Sequence, residues 1–193
     1  MTRKSIKNTL TEKNLLTAFA GESQARNRYT YFAKVASKEG YEQIAAIFLE
    51  TAEQERVHAK RFFEFLEGGK VEITASFPAG IICSTINNLK EAACGEREEW
   101  QEMYPEMAEI ALDEGFPEIA LLFRNVAKAE RQHETRFQKL LERLSQGEIF
   151  ASDIPIEWQC RKCGYVHYGA EPPAICPSCK HPQGYFERKA NNY

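Results

Sequence analysis

The feature that most constrains this chain is an internal repeat. Glu55 and His58 recur 75 residues on as Glu130 and His133, and Arg61 and Phe62 recur as Arg136 and Phe137 at the same offset. Glu39-Gly40-Tyr41 likewise returns as Glu114-Gly115-Phe116. Each copy reads as a helical hairpin, so the first part of the chain is two hairpins facing each other about a pseudo-twofold axis. The segment is rich in Ala, Glu, Leu, Arg and Phe and poor in Gly and Pro. Four helices are expected, over residues 11–37, 41–66, 84–113 and 117–144. Thr11 is read as the first N-cap. Gly40, Gly68-Gly69 and Gly115 mark helix ends, and Pro117 opens the last helix. Residues 70–78 form a crossover, in spite of the β-like run Val71–Thr74.

Residues three apart share one face of a helix. Glu55/His58 and Glu130/His133 therefore each present a carboxylate and an imidazole to one point. Ala52, Phe62 and Phe65 lie on or near the face of Glu55, and Phe123, Ala127 and Phe137 on that of Glu130, so both motifs point inward. Isolated buried carboxylates are costly, and a metal is the simplest compensation. The partner helices add Glu22 and Glu96, each preceded by a glycine (Gly21, Gly95) that suggests a tight approach. One Glu from each of two helices and Glu-x-x-His from each of the others is the arrangement of ferritin-like di-iron bundles. Glu99 supplies one more carboxylate, and the charge of the set nearly cancels that of two ferrous ions.

Tyr29 and Tyr104 also recur 75 residues apart. They either hydrogen-bond ligand carboxylates or are ordinary buried tyrosines. Glu22 and Glu96 are only 74 apart, a slip that a helical bulge in one copy would absorb.

After Gly147 the composition shifts to Pro, Gly, Cys and aromatics, which divides the chain into residues 1–147 and 148–193, with the boundary between Gly147 and Ile154. The tail carries Cys160-x-x-Cys163 and Cys176-x-x-Cys179, the signature of a tetrahedral tetrathiolate metal site. Zinc and iron both accept four thiolates. Gly164 and Pro177 resemble the knuckles of rubredoxin, and an adjacent di-iron site in need of electrons favours iron. Trp158, Tyr165, Tyr168, Tyr185 and Phe186 are expected to form the small core. His167 and His181 match no ligand spacing and are placed at the surface. Cys83 and Cys94 are read as buried, inert thiols. Arg97, Glu98, Gln101 and Glu102 read as a solvated face.

Bulk properties exclude several classes. A net charge of −3 with 27% charged residues points neither to nucleic acid nor to an anionic membrane. No window is apolar enough for a span. The start has Arg3, Lys4 and Lys7 but no following apolar stretch, which places the protein in the cytoplasm. No Gly-x-Gly-x-x-Gly fingerprint occurs, so electrons must come from a separate donor.

Gly21 through Tyr29, both Glu-x-x-His motifs, Glu96-x-x-Glu99 followed by Met103-Tyr104-Pro105-Glu106, and the paired cysteines together resemble the rubrerythrin family over almost the whole chain. The resemblance implies a mainly α protein: a four-helix ferritin-like bundle followed by a small rubredoxin-like tetracysteine iron domain. It implies that Glu22, Glu55, Glu96, Glu99, Glu130 and His133 bind a di-iron pair, with His58 as a redox-dependent ligand. A third iron would sit on Cys160, Cys163, Cys176 and Cys179. The implied activity is that of a cytoplasmic peroxidase in an oxygen-sensitive microbe, reducing hydrogen peroxide to water as an oxidative stress defence. Its electrons would come from NADH through a reductase or rubredoxin-type protein. The implied assembly is a homodimer, with a head-to-tail arrangement favoured because Gly147 lies about 21 Å from His133 if the chain between them is helical at 1.5 Å per residue. Nothing in residues 147–154 specifies a return along the bundle. Two rivals stay open: an iron-storage or ferroxidase protein, which needs no tetracysteine domain, and a binding module with structural zinc.

Overall fold

The computed structural model describes residues 4–192; Arg3, used above in reading the start of the chain, lies outside them. The helices are α1 (Leu10–Lys38), α2 (Glu42–Phe63), α3 (Thr85–Glu98), α4 (Tyr104–Asp113) and α5 (Pro117–Ser145), with a π-helical turn, Glu99–Met103, joining α3 to α4 into one interrupted helix. α1 packs on α2, and α3 and α4 pack on α5, so each repeat is a hairpin. Residues 64–84 form the crossover, without a strand at 71–74.

The first N-cap is Thr9, not Thr11. The Thr9 side chain accepts from the Glu12 N–H, and Glu12 reaches back to the Asn8 N–H, which closes a reciprocal cap. Thr11 instead donates its hydroxyl to Glu114, whose carboxylate also accepts the N–H groups of Leu10 and Thr11. The other hairpin repeats this brace, since the N–H of Thr85 donates to Glu39. Each hairpin's turn glutamate thus holds the start of the other hairpin's first helix.

The π turn explains the 74-residue slip. One extra residue is accommodated between Glu96 and Tyr104, and the Tyr104 N–H reaches the Glu99 carbonyl five residues back. Pro105 accounts for its position: it has no N–H for the carbonyl four residues earlier, so the regular ladder fails there.

The core has two aromatic layers, one on each side of the bundle's middle. Tyr29, Phe48 and Phe137 pack with centroids 5.1–5.9 Å apart. Their repeat equivalents Tyr104, Phe123 and Phe62 pack at 5.1–6.0 Å. The two layers are images of each other under the pseudo-twofold axis.

After Gly147 the chain makes a three-stranded antiparallel sheet in the order β2-β1-β3, with β1 Ile156–Cys160, β2 Val166–Gly169 and β3 Phe186–Arg188. Trp158, Cys160, Cys176 and Phe186 are its buried centre, with Tyr165 and Tyr185 against it. Tyr168 is not part of that core: it is 70% exposed, because its place on β2 turns it outward. The expectation that nothing brings the tail back along the bundle is also corrected. Ile149 is buried in the bundle core, Phe150 stacks on Tyr41, and Gly184 lies so close to Gly40 that a side chain there would overlap the Gly40 carbonyl. Cys94 is exposed and Cys83 half-buried, since both lie off the packed faces of their segment, so neither is the buried thiol expected.

Candidate metal centres

The two aromatic layers enclose a polar stratum. Glu22, Glu55, Glu96 and Glu130 are each at most 1% exposed and His133 4%. The helical register of both repeats delivers these groups to one depth. They form two groups whose ligand atoms lie within 4.8 Å of one another: Glu22, Glu55, His58 and Glu130; and Glu55, Glu96, Glu130 and His133. Glu55 and Glu130 belong to both. His58 Nδ1 lies 3.1 Å from Glu55 Oε2, 2.9 Å from Glu130 Oε1 and 3.9 Å from Glu22 Oε1. His133 Nδ1 lies 3.1 Å from Glu55 Oε1, 2.7 Å from Glu130 Oε2 and 3.3 Å from Glu96 Oε2. Each shared carboxylate turns one oxygen toward either imidazole, the geometry of a bridge between two ions.

Both tyrosines make short hydrogen bonds across the bundle. Tyr29 donates to Glu96 and Tyr104 donates to Glu22. Burial and the neighbouring carboxylates push both phenols well above their ordinary value, so the hydroxyls keep their protons and act as donors. Glu99, at the start of the π turn, belongs to neither four-ligand group. Burial, then Glu96, Glu130 and Glu55, raise its carboxyl well above the usual range, with Arg28 opposing.

The remaining titrations show how poorly this stratum accommodates bare charge. Burial, then the carboxylates of Glu130, Glu55 and Glu99, hold Glu22 well up. Burial and Glu55 push Glu96 to about 8. Burial works against the charge on Glu55 and on His58, but their mutual contacts prevail: His133 and His58 hold Glu55 at about 2, and Glu130 and Glu55 raise His58 to about 9. Glu22 Oε2, Glu55 Oε1, Glu96 Oε2, both Glu130 oxygens and His133 Nδ1 are buried without a well-directed hydrogen bond. Orphaned donor atoms of this kind, all facing one space, fit a pair of cations.

Gly21 and Gly95 do not mark the tight approach expected of them. A Cβ at either would meet its nearest neighbour, Phe77 or Arg28, at an ordinary 3.7 Å. Sequence reasoning missed Gln54, Glu134 and Trp100 at the edge of the stratum. Gln54 Oε1 accepts from His133 Nε2 at 2.9 Å, and its signal was a mismatch inside the repeat, with Ala129 at the equivalent position. Glu134 accepts from Arg97 at 2.7 Å and from the Trp100 indole at 2.6 Å. Arg97 is thus engaged, although it lies on the exposed run with Glu98, Gln101 and Glu102.

In the tail, Cys160 Sγ lies 3.8 Å from Cys179 Sγ, and Cys163 Sγ 3.7 Å from Cys176 Sγ. Four sulfurs at about 2.3 Å from one ion would be about 3.8 Å apart at tetrahedral angles, so the four thiols are spaced for a metal and not for disulfides. The Tyr165 backbone N–H holds the Cys163 thiol down at about 7. Half-buried His181 meets the Tyr185 ring edge to face and His167 is also half-buried; neither joins the cluster. Taken together, the Glu/His groups and the four cysteines fit three iron ions per chain.

Comparison with known proteins agrees with this geometry. A family model described as Rubrerythrin matches residues 13–141, and one described as Rubrerythrin, rubredoxin-like domain, matches residues 158–187. The chain is 62% identical over 190 residues to a rubrerythrin of Porphyromonas gingivalis, covering 98% of this chain and 95% of that protein. It is 54% identical over 190 residues to a rubrerythrin of Nitratidesulfovibrio vulgaris, covering 98% of this chain and all of that one. Among solved structures, fully reduced, all-ferrous nigerythrin superposes with a TM-score of 0.63 at 32% identity, covering 98% of this chain and 89% of that one.

Proposed function

Since the chain belongs to the rubrerythrin family, and so is a di-iron oxidoreductase, we propose that it is a peroxidase that reduces hydrogen peroxide to water. The overall change is one peroxide, two electrons and two protons to two waters. Electrons enter singly at the four-cysteine centre from an NADH-driven reductase or a small rubredoxin-type protein, in the cytoplasm of an oxygen-sensitive microbe. The observation that carries the reading is the pairing of two four-ligand groups sharing Glu55 and Glu130 with a tetracysteine cluster on the same chain.

When bound, the iron pair supplies both electrons together, which avoids releasing a one-electron product, and the tetrathiolate iron replaces them one at a time. The protein's own groups prepare the place. Glu55 and Glu130, common to both four-ligand groups, would hold the ion pair. The Tyr29 and Tyr104 hydroxyls fix the planes of Glu96 and Glu22. Phe48 and Phe137 on one side and Phe62 and Phe123 on the other exclude bulk water. Glu99 and His58 are proposed to exchange as ligands of one ion, the carboxylate suiting ferric and the imidazole ferrous iron. Structures of both redox states should show Glu99 bound when oxidised and His58 bound when reduced; identical ligands in the two would refute the exchange.

We also propose a homodimer as the working unit. Leu49, Val57 and Phe63 of α2 and Tyr31 of α1 are 44–56% exposed, an apolar face that a second copy would cover.

The test separates the two centres. Glu55→Ala or Glu130→Ala should abolish peroxide turnover and leave the intense ferric tetrathiolate colour intact. Cys160→Ser should allow one oxidation of the bundle by peroxide but no steady turnover with an NADH-driven donor. Full turnover in the first pair, or unchanged steady turnover in the second, would overturn the assignment. A colourless oxidised wild type would indicate zinc in the tail.

A further inference from the structure

The two Glu-x-x-His copies have unequal surroundings. In both, Nδ1 faces the carboxylates, so the outer nitrogen of each ring, Nε2, decides how firmly the ring is held. His133 Nε2 lies 2.9 Å from Gln54 Oε1. With Nδ1 engaged on the carboxylate side, Nε2 carries the proton and donates it. The Gln54 amide donates to Glu50, 3.4 Å away, and Glu50 accepts from Arg136 at 2.9 Å. A chain Arg136–Glu50–Gln54–His133 therefore ties α5 to α2 on the outer side of the ring.

The repeat predicts what should stand outside His58, and it is not there. The equivalent of Gln54 is Ala129, which offers no polar side-chain atom; the equivalent of Glu50 is Asn125. Arg61, equivalent to Arg136, is turned away to Glu64. The His58 side chain is also more open, at 14% exposure against 5% for His133.

We propose that Gln54 is a positioning residue that locks His133 in one ring orientation, while Ala129 leaves His58 free to turn. The metal position bounded by Glu96 and His133 is thereby the constant one. The position bounded by Glu22 and His58 is the one whose ligands change. An imidazole engaged at both nitrogens has a single orientation, whereas one engaged only through its metal-facing nitrogen can leave by rotation about its side-chain bonds. Outer partners of metal-bound histidines typically govern affinity by about 10–100-fold. This inference rests on the bundle being a di-metal site, and it assigns the source of the asymmetry to one amide.

The probe is the full chain loaded with Zn²⁺, which is diamagnetic, observed by nitrogen-15 NMR of labelled histidine. Only four histidines are present, so His58 and His133 can be resolved. In the wild type the His133 Nε2–H should exchange with solvent at least about tenfold more slowly than that of His58, the effect of about one net hydrogen bond. Gln54→Leu should remove that difference and weaken one of the two Zn²⁺ steps in the bundle by about 10–100-fold. Gln54→Glu, which keeps an acceptor, should restore both. Gln54 is half-buried, so its replacement leaves the core intact. Ala129→Gln tests the idea from the other side, without touching His133, and should slow His58 exchange. Equal exchange of the two rings in the wild type, or a Gln54→Leu protein with unchanged exchange and Zn²⁺ affinity, would overturn the proposal. Peroxide turnover of the wild type is measured alongside. A protein that shows the Gln54 effects but reduces no peroxide leaves the positioning role standing and removes the peroxidase reading; the opposite result does the reverse.

Discussion

Glu55 and Glu130 each face both histidines, so removing either takes one carboxylate contact from both imidazoles at once in a dry layer. The same crowding sets the pH dependence of the metal-free bundle. The folded value of Glu96, about 8, lies above its unfolded 4.5, so it costs stability increasingly as pH rises between them. His58 is raised from 6.5 to about 9: its contribution is complete below about 6.5 and is lost as pH rises through about 9. Glu55, lowered to about 2, contributes above about 4.5 and loses that contribution as pH falls. Metal-free protein should therefore melt highest near pH 5 and progressively lower toward pH 9. Loading with Zn²⁺ should flatten the decline, because the ions compensate the carboxylates directly. Thermal unfolding at pH 5, 7 and 9, with and without metal, checks this; a metal-free midpoint that rises from pH 5 to 9 contradicts it.

The element that departs from ideal geometry is the helix from Thr85 to Asp113, and its departure carries Glu99. The π turn is fastened from outside: Arg97 just before it and Trp100 within it both donate to Glu134 of α5, and Arg131 lies over the Trp100 ring at 5.3 Å. Trp100→Phe keeps the ring but deprives the largely buried Glu134 of one donor. A hydrogen bond to a charged group is worth about 1.5–3 kcal/mol, so the unfolding midpoint should fall by several degrees, and amide exchange should quicken across residues 99–104. Protection of those amides equal to wild type would show that the clamp does not hold the turn. Much of this was legible beforehand. The 75-residue offset makes four helices and both metal motifs readable, and the 74-residue spacing of Glu22 and Glu96 against the 75 of Tyr29 and Tyr104 confines the extra residue to the stretch between Glu96 and Tyr104. Pro105 was the local cause in plain sight. Thr11 misled because it is a good cap residue two positions too late; its repeat partner Thr85, 74 residues on and equally buried, marks it as part of the hairpin brace. Gln54 and Glu134 could not be found from helical spacing alone, since what they do depends on which side chain lies opposite on another helix.

At the scale of the whole molecule, the placement of the tail bears on the proposed route of electrons to the bundle. The return of the chain is written in long-range contacts: Ile149 in the bundle core, the backbone of Gly184 against that of Gly40, and Arg188 donating to the carbonyls of Glu148 and Ala151. No short stretch of sequence signals these, and so the boundary segment read as a free connector. The first cysteine knuckle comes to lie beside α2, with Arg161 and Lys162 lining a groove together with Ala45, Ala46 and Leu49. From Ala45 to Glu55 the helix rises about 15 Å, less than the roughly 21 Å of helical rise from His133 to Gly147, so distance alone does not exclude transfer within one chain. The apolar face of α1 and α2 still argues for a second copy beside this one, and a head-to-tail neighbour would present its own knuckle to that region. Mixing two inactive variants, Glu55→Ala and Cys160→Ser, under conditions that exchange subunits distinguishes the routes. One chain then keeps a working tail and the other a working bundle. If electrons cross between subunits, mixed dimers should recover turnover, up to about one quarter of the wild-type rate per subunit for random exchange, because half the dimers are mixed and each has one complete pair. Exchange demonstrated by mass spectrometry without recovered turnover would assign the transfer to a single chain, by way of the knuckle lying along α2.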